Sequence, residues 1–283
     1  MHRNELLFRT KSALDAAAVP FYRLFGRRPW SFGYYTTKKR AIEDAIDQNA
    51  VSPGVELISD FGVAIDERVV EYAWLVGHLR DRHEGGRILD AGSTLNHDFI
   101  LERLPLKGAE LTIMTLAPEK RCQWYDGYSY VFGDLRKTLF ADNVFDEIVS
   151  ISTIEHIGLD NTLLYTSDRN RAENSEGDFL SAVQEFKRLL KPDGVCYITF
   201  PFGKRENLGW YQVFDDAMVD QLLRRFAPSA YTIEYFRYSE TGWRRACLDE
   251  VKEATTFDVH SGRGWNQDRA ASARAIACLR LNA

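Results

Sequence analysis

The sequence predicts an α/β fold: an open, twisted, mostly parallel seven-stranded sheet with helices on both faces, a last antiparallel strand and a helical N-terminal cap. Three observations predict it. From Gly86 onward, short apolar runs alternate with stretches of helical period, the pattern of strands joined by crossover helices. An acid and a glycine, Asp90 and Gly92, close the first run and lead into a turn. The 45% hydrophobic and 27% charged residues over 283 positions are those of an ordinary globular chain with a large core.

Residues 1–65 read as cap material, with a helix over 38–47, and Pro53-Gly54 breaks the chain before a second helix over 66–83. A single α/β domain then spans 66–283. Its strands are predicted at 87–91, 110–115, 128–132, 146–152, 194–200, 231–238 and 273–281. Helices over 177–190 and 215–226 fit between them. The first ends at Lys191-Pro192-Asp193-Gly194, a helix stop and turn, and the second opens on Asp215 as N-cap. The polar, aperiodic stretch 165–178 follows a strand's C-terminal end and reads equally as a lid or as a surface insertion.

Bulk properties exclude several classes. A net charge of −5 argues against general nucleic-acid binding. Cys122, Cys196, Cys247 and Cys278 are scattered without a CxxC pair, so neither a zinc site nor a disulfide framework is expected, and a cytoplasmic location is the default. Cys196 and Cys278 sit in apolar runs and read as buried small hydrophobes. No apolar run approaches the ~20 residues of a membrane span. The basic, amphipathic N-terminus is expected to dock on its own domain, with membrane-surface contact the weaker alternative. Its aromatic residues leave a homodimer open. No cluster with metal-ligand spacing occurs.

The first turn runs Asp90-Ala91-Gly92-Ser93-Thr94-Leu95-Asn96. Farther on come Gly133-Asp134-Leu135, the segment Phe145-Asp146 into Thr153-Ile154-Glu155-His156-Ile157-Gly158, then Arg188-Leu189-Leu190-Lys191-Pro192-Asp193-Gly194 and Pro201-Phe202-Gly203. In this order and spacing, over 86–203, the chain resembles class I S-adenosylmethionine-dependent methyltransferases, with their Rossmann-like fold. The resemblance implies S-adenosylmethionine as cofactor. By position, Asp90, Gly92 and Ser93 would face its methionine part, Thr115 and Leu116 its ribose and adenine, Asp134 and Leu135 the adenine, and Ser152 the floor beneath the sulfonium. Two departures stand out. Gly92 is the only glycine of the usual two or three, with Asn96 a partial substitute. Thr115 takes the place of the acid that grips the ribose, and forgoes a charge-assisted bond. The bland readings are a helix-capping Asp90 and a turn-forming Asp134.

Methyl transfer to a hydroxyl needs alignment and a proton acceptor. His156 is the first candidate by its near-neutral pKa, Glu155 orients the cofactor or caps the helix, and His97 is a further base. Lys204 and Arg205 would hold an anionic group, and Trp210 and Tyr211 would stack on a planar or sugar acceptor. Trp243-Arg244-Arg245 repeats that theme. The EHIG segment, the Phe200–Lys204 loop and residues 209–219 look like methyltransferases of bacterial surface-polysaccharide biosynthesis. O-methylation of a small or glycan-like acceptor is therefore expected, with a methyltransferase-like binding or scaffold protein that has lost tight cofactor binding as the alternative.

Overall fold

The computed structural model describes residues 18–79, 86–106, 108–119, 122, 127–166, 168–258, 260 and 265–283. Within it, α1 (Tyr34–Asp47) and α2 (Arg68–His78) precede β1 (Arg87–Ala91), β2 (Glu110–Thr115), β3 (Ser129–Phe132) and β4 (Phe145–Ile151). Then come α3 (Phe179–Leu189), β5 (Leu190–Pro201), the short pair β6 (Glu206–Asn207) and β7 (Gln212–Val213), and α4 (Asp216–Phe226). The chain closes with β8 (Ala230–Ser239), β9 (Gly242–Ala246) and β10 (Ala275–Asn282). The end of the helix expected over 66–83 and the first 17 residues of the expected cap lie outside the described residues.

One sheet of eight strands results, in the order β3-β2-β1-β4-β5-β10-β8-β9. The first five are parallel, and β10 runs antiparallel to both β5 and β8. All seven expected strands are present. The count is corrected to eight by β9, which pairs antiparallel with β8 and carries Trp243, Arg244 and Arg245. Gly-Trp-Arg-Arg-Ala has no apolar alternation, so its strand state comes from pairing with β8. The last strand is antiparallel as expected and lies between β5 and β8. Lys191–Gly194 does not end in a free turn: it is a bulge of β5 opposite Asp146, where the register jumps from Phe145↔Leu190 to Glu147↔Val195.

Alternation along each strand divides the core. Val195 and Tyr197 of β5, Val149 of β4 and Ile276 and Cys278 of β10 face α1, α2 and the N-terminal residues. Cys196, Ile198, Phe200, Ile148, Ala277 and Leu279 face α3 and α4 on the other side. Helix α3 presents Phe179, Ala182, Val183, Phe186 and Leu189 to that core, the i, i+3, i+4, i+7 stripe of an amphipathic helix. Helix α4 starts as expected, with the Asp215 carboxylate accepting from Met218 N at 2.9 Å. Residues before 66 share the first core, since Tyr22, Tyr34, Ile42 and Ile46 are buried in it. Cys196 and Cys278 are fully buried, as their apolar settings imply.

Candidate active site

The C-terminal ends of β1, β2, β4 and β5 converge where strand order reverses on either side of β1, the place where open α/β sheets bind ligands. After β1 the chain turns through Gly92 (φ 126°) and Ser93 (φ 59°). A Cβ on Gly92 would collide with the side chain of Thr153, so this glycine allows the β1 turn to touch the segment after β4. Asp90 is fully buried. Its carboxylate accepts from Thr94 N at 3.1 Å, Thr94 Oγ1 at 3.3 Å and Leu95 N at 2.9 Å. Burial pushes its pKa up to about 7 against the pull of those bonds. Asp90 thus holds the turn in shape.

Ser93 Oγ donates to Glu119 at 3.0 Å, and Asn96 Nδ2 donates to the same oxygen at 3.3 Å. Tyr130 on β3 donates to Asn96 Oδ1 at 2.9 Å. The turn after β2 therefore brings a carboxylate over the first turn, four residues beyond Thr115. Thr115 is buried, and its hydroxyl makes no hydrogen bond of normal geometry. The Tyr165 phenol interacts with it, and burial raises that phenol's pKa against the opposing effect of Thr115. Leu116 is half exposed beside it.

Asp134 sits after β3. Both its oxygens accept from Arg136, at 3.0 and 2.6 Å on one of them. Burial opposes ionisation there, but the Arg136 bonds prevail and hold the carboxyl below its ordinary value. Arg136 also pairs with Glu173 at 2.8 Å and Asp178 at 2.6 Å, tying the 165–178 segment to the end of β3. Leu135 is buried in the core beside it.

A second cluster, unforeseen in sequence, enters from the N-terminus of α2. Glu71 is fully buried inside an apolar helix. It accepts from Ser152 Oγ at 2.5 Å and Thr199 Oγ1 at 2.6 Å, and pairs with Arg68 at 3.2 Å. Arg68 also donates to the Ile151 carbonyl at 3.1 Å. Ser152 has φ 38°, so the chain leaves β4 in a left-handed step held by these bonds. Glu67 and Glu155 are buried nearby, each with one oxygen lacking a hydrogen-bond partner. Burial, with Asp66 and Glu71 adding repulsion, pushes Glu67 up to about 8. Burial likewise lifts Glu155 well above the carboxylate range, with Glu71 adding to it. Tyr72 O–H donates to the Thr94 carbonyl at 2.7 Å and joins this cluster to the first turn. The only sequence signal was a Glu inside the apolar run Val69–Val76, following the charged triplet Asp66-Glu67-Arg68.

His156 Nδ1 lies 2.9 Å from the Trp210 carbonyl, and its ring packs 5.0 Å from the Trp210 ring and 5.8 Å from Tyr211. Burial pushes its pKa down to about 4, with the Arg68 charge adding to the effect and the Trp210 carbonyl opposing it. The imidazole is neutral at pH 7 and a weak base. Trp210 Nε1 is buried without a hydrogen-bond partner among the described residues, and Tyr211 is buried. Arg205 pairs with Glu176 of the 165–178 segment at 2.6 Å, while Lys204 is exposed. His97 stands at the start of a short helical turn, its ring 5.7 Å from Phe99. Among the described residues no group of His, Cys, Asp and Glu is placed to hold a metal ion.

A family model for a methyltransferase domain matches residues 99–198, from just after the first turn to within β5. No curated protein matches the chain. Among solved structures, the chain is similar to the YcgJ protein from Bacillus subtilis (12% identity, 75% of this chain and 97% of that one, TM-score 0.48). It is also similar to the 1,6-didemethyltoxoflavin-N1-methyltransferase of Burkholderia thailandensis, solved with S-adenosylhomocysteine (13% identity, 97% and 89%, TM-score 0.43). A third is the [4+2]-cyclase SpnF (19% identity, 59% and 60%, TM-score 0.39). Two of the matched structures are spanned over only 47% and 60% of their own length. The family match takes in β2, β3, β4 and most of β5. Residues 99–198, inside an eight-stranded and mostly parallel α/β sheet, are thus similar to a methyltransferase domain.

Proposed function

We propose that this domain transfers the methyl group of S-adenosylmethionine to a hydroxyl of a small or glycan-like acceptor, in the cytoplasm. The observation that carries this reading is Glu155: a buried carboxyl with a raised pKa and one unpaired oxygen, at the end of β4. A free carboxylate is too weak a base for a hydroxyl proton, and burial moves Glu155 toward greater proton affinity.

The first turn fits the cofactor on two observations. Among the described residues the buried Thr115 hydroxyl has no hydrogen bond of normal geometry at the end of β2, and the Glu119 carboxylate is held over the turn by Ser93 and Asn96. Glu119 and Thr115 would bind the ribose hydroxyls, with Glu119 supplying the charge-assisted bond that Thr115 cannot. Gly92 and Ser93 would border the methionine part with Asp90 shaping the turn behind them, and Leu116, Asp134 and Leu135 would flank the adenine. Ser152, fixed by Glu71, would form the floor. When bound, the cofactor supplies a methyl group on a positively charged sulfur that needs no further activation.

The chain's own part is alignment and proton removal. Glu155 takes the acceptor's proton, and the charges of Glu71 and Glu67 nearby favour its protonated form. His156, neutral and locked on Trp210, positions that indole. Trp210 offers a face to a sugar ring with the buried Tyr211 packed against it, and Lys204 and Arg205 border an anionic substituent. The 165–178 segment, stapled by Arg136 and Arg205, closes this side as a lid.

Titration calorimetry with S-adenosylmethionine and S-adenosylhomocysteine tests the cofactor site, with affinity of about 100 μM or tighter expected, some −5.5 kcal/mol. Transfer of labelled methyl to hydroxyl-bearing saccharides then tests the acceptor class. Cofactor binding without transfer to any hydroxyl, alongside transfer to amines, would refute the O-methylation reading.

A further inference from the structure

We propose that the segment 18–40 is a docking surface for an anionic lipid bilayer, an inference that does not depend on the methyl-transfer reading. Residues 18–24 form a helix that is apolar on both sides. One side is buried: Ala18, Val19 and Tyr22 pack into the core, and Tyr22 O–H donates to the Ala64 carbonyl at 3.0 Å. The other side faces outward. Leu24 is 77% exposed, Phe25 62% and Phe32 69%, with Phe21 and Tyr35 exposed beside them. These rings form one surface: Phe21 lies 6.4 Å from Phe25 and 6.3 Å from Phe32. Exposed single hydrophobes are ordinary, but a contiguous patch of large ones marks an interaction site.

The patch is held firmly from behind. Trp30 Nε1 donates to the Ala271 carbonyl at 2.8 Å, and Tyr34 O–H donates to Asp66 at 2.9 Å. It is therefore a built surface.

Charge identifies the occupant. Between residues 18 and 42 the chain carries Arg23, Arg27, Arg28, Lys38, Lys39 and Arg40 and no acid, on a molecule of net charge −5. Arg23, Arg27 and Arg40 are exposed and make no ion pair among the described residues. Aromatic and leucine side chains ringed by unneutralised arginines suit the headgroup–acyl boundary of an anionic leaflet, where rings and aliphatic tips enter the boundary and guanidinium groups meet phosphates. A second copy fits worse, because a two-fold contact sets the same patch against itself and opposes arginine to arginine. No helix among the described residues is long and apolar enough to cross a membrane, so the contact is peripheral. Tyr34 and Lys38 reach Asp66, next to Glu67, so docking would set the α2 end of the candidate site near the bilayer.

Flotation of the full chain with vesicles tests this, comparing phosphatidylglycerol–phosphatidylcholine mixtures with pure phosphatidylcholine. Binding to the anionic vesicles only, weakened by 0.5 M salt, is expected. Leu24→Ser with Phe25→Ser should cut binding at least tenfold at unchanged Tm. Arg23→Glu and Arg27→Glu should each cut it about fivefold or more. Failure of the wild-type chain to float with anionic vesicles would overturn the proposal, as would binding that all these variants leave intact. Light scattering provides the other arm. A dimer abolished by the Leu24 and Phe25 changes, without vesicle binding, would assign the face to a second copy and refute the bilayer.

Discussion

Ser93 donates its hydroxyl proton to Glu119 across 3.0 Å, joining the turn after β1 to the turn after β2. A carboxylate thereby stands over the first turn although the strand-end position, Thr115, has none. Glu119→Gln keeps the shape and removes the charge. Affinity for S-adenosylmethionine should fall about tenfold, the difference between a charge-assisted and a neutral hydrogen bond. Titration calorimetry reads this without an acceptor. Unchanged affinity together with a lowered Tm would reduce Glu119 to a brace for the turn.

Gly92 and Thr153 offer a second test. Gly92 has φ 126°, and a Cβ there would run into Thr153. Gly92→Ala should destabilise through both strain and collision, by roughly 2–4 kcal/mol. Adding Thr153→Gly removes the collision and leaves the strain, so about half the loss should return. Thermal melts of the single and double variants decide it. No recovery in the double variant would mean that φ alone imposes the glycine.

The central strands were legible because burial on both faces leaves near-continuous apolar runs, while the half-exposed β3 and β8 were legible from their aromatic and β-branched residues. β9 was illegible because Trp243, Arg244 and Arg245 owe their strand state to β8 partners far from any local pattern. At the site, Asp90, Ser93, Thr115 and Glu155 could be placed from their positions after strands. Their chemistry could not. His156 looks like a near-neutral base in sequence, and only burial against Trp210 makes it a weak one. Glu67, Arg68 and Glu71 reach the site from a helix that precedes β1, and no spacing rule links them to Ser152 or Glu155.

His156 should also set a pH limit on stability. Its folded pKa is near 4, below the ordinary 6.5, so the unfolded chain binds the extra proton between those values. The stability it contributes is fully present above pH 6.5 and is lost as pH falls through 6.5 toward 4, on the order of 3 kcal/mol in total. His156→Gln cannot take up that proton. Its denaturation free energy should depend less on pH across this window than the wild type's. Parallel pH profiles for both proteins would show that the ring is not buried neutral in solution.

Arg68 is the cation beside the fully buried Glu71, at 3.2 Å, and it also ties α2 to β4 through the Ile151 carbonyl. Arg68→Met keeps much of the side-chain volume but leaves Glu71 with only the hydroxyls of Ser152 and Thr199. A buried pair broken on one side typically costs about 3–5 kcal/mol, because the remaining charge has no counterpart. Urea denaturation should show a loss of that order. Replacing both partners, Arg68→Met with Glu71→Leu, takes the orphaned charge away and should restore part of it. The double variant then frees the Ser152 hydroxyl from its anchor. If Ser152 forms the floor of the cofactor site, affinity for S-adenosylhomocysteine should drop severalfold in this refolded double variant. Restored stability with undiminished affinity would separate the ion pair's structural role from any part in holding the cofactor.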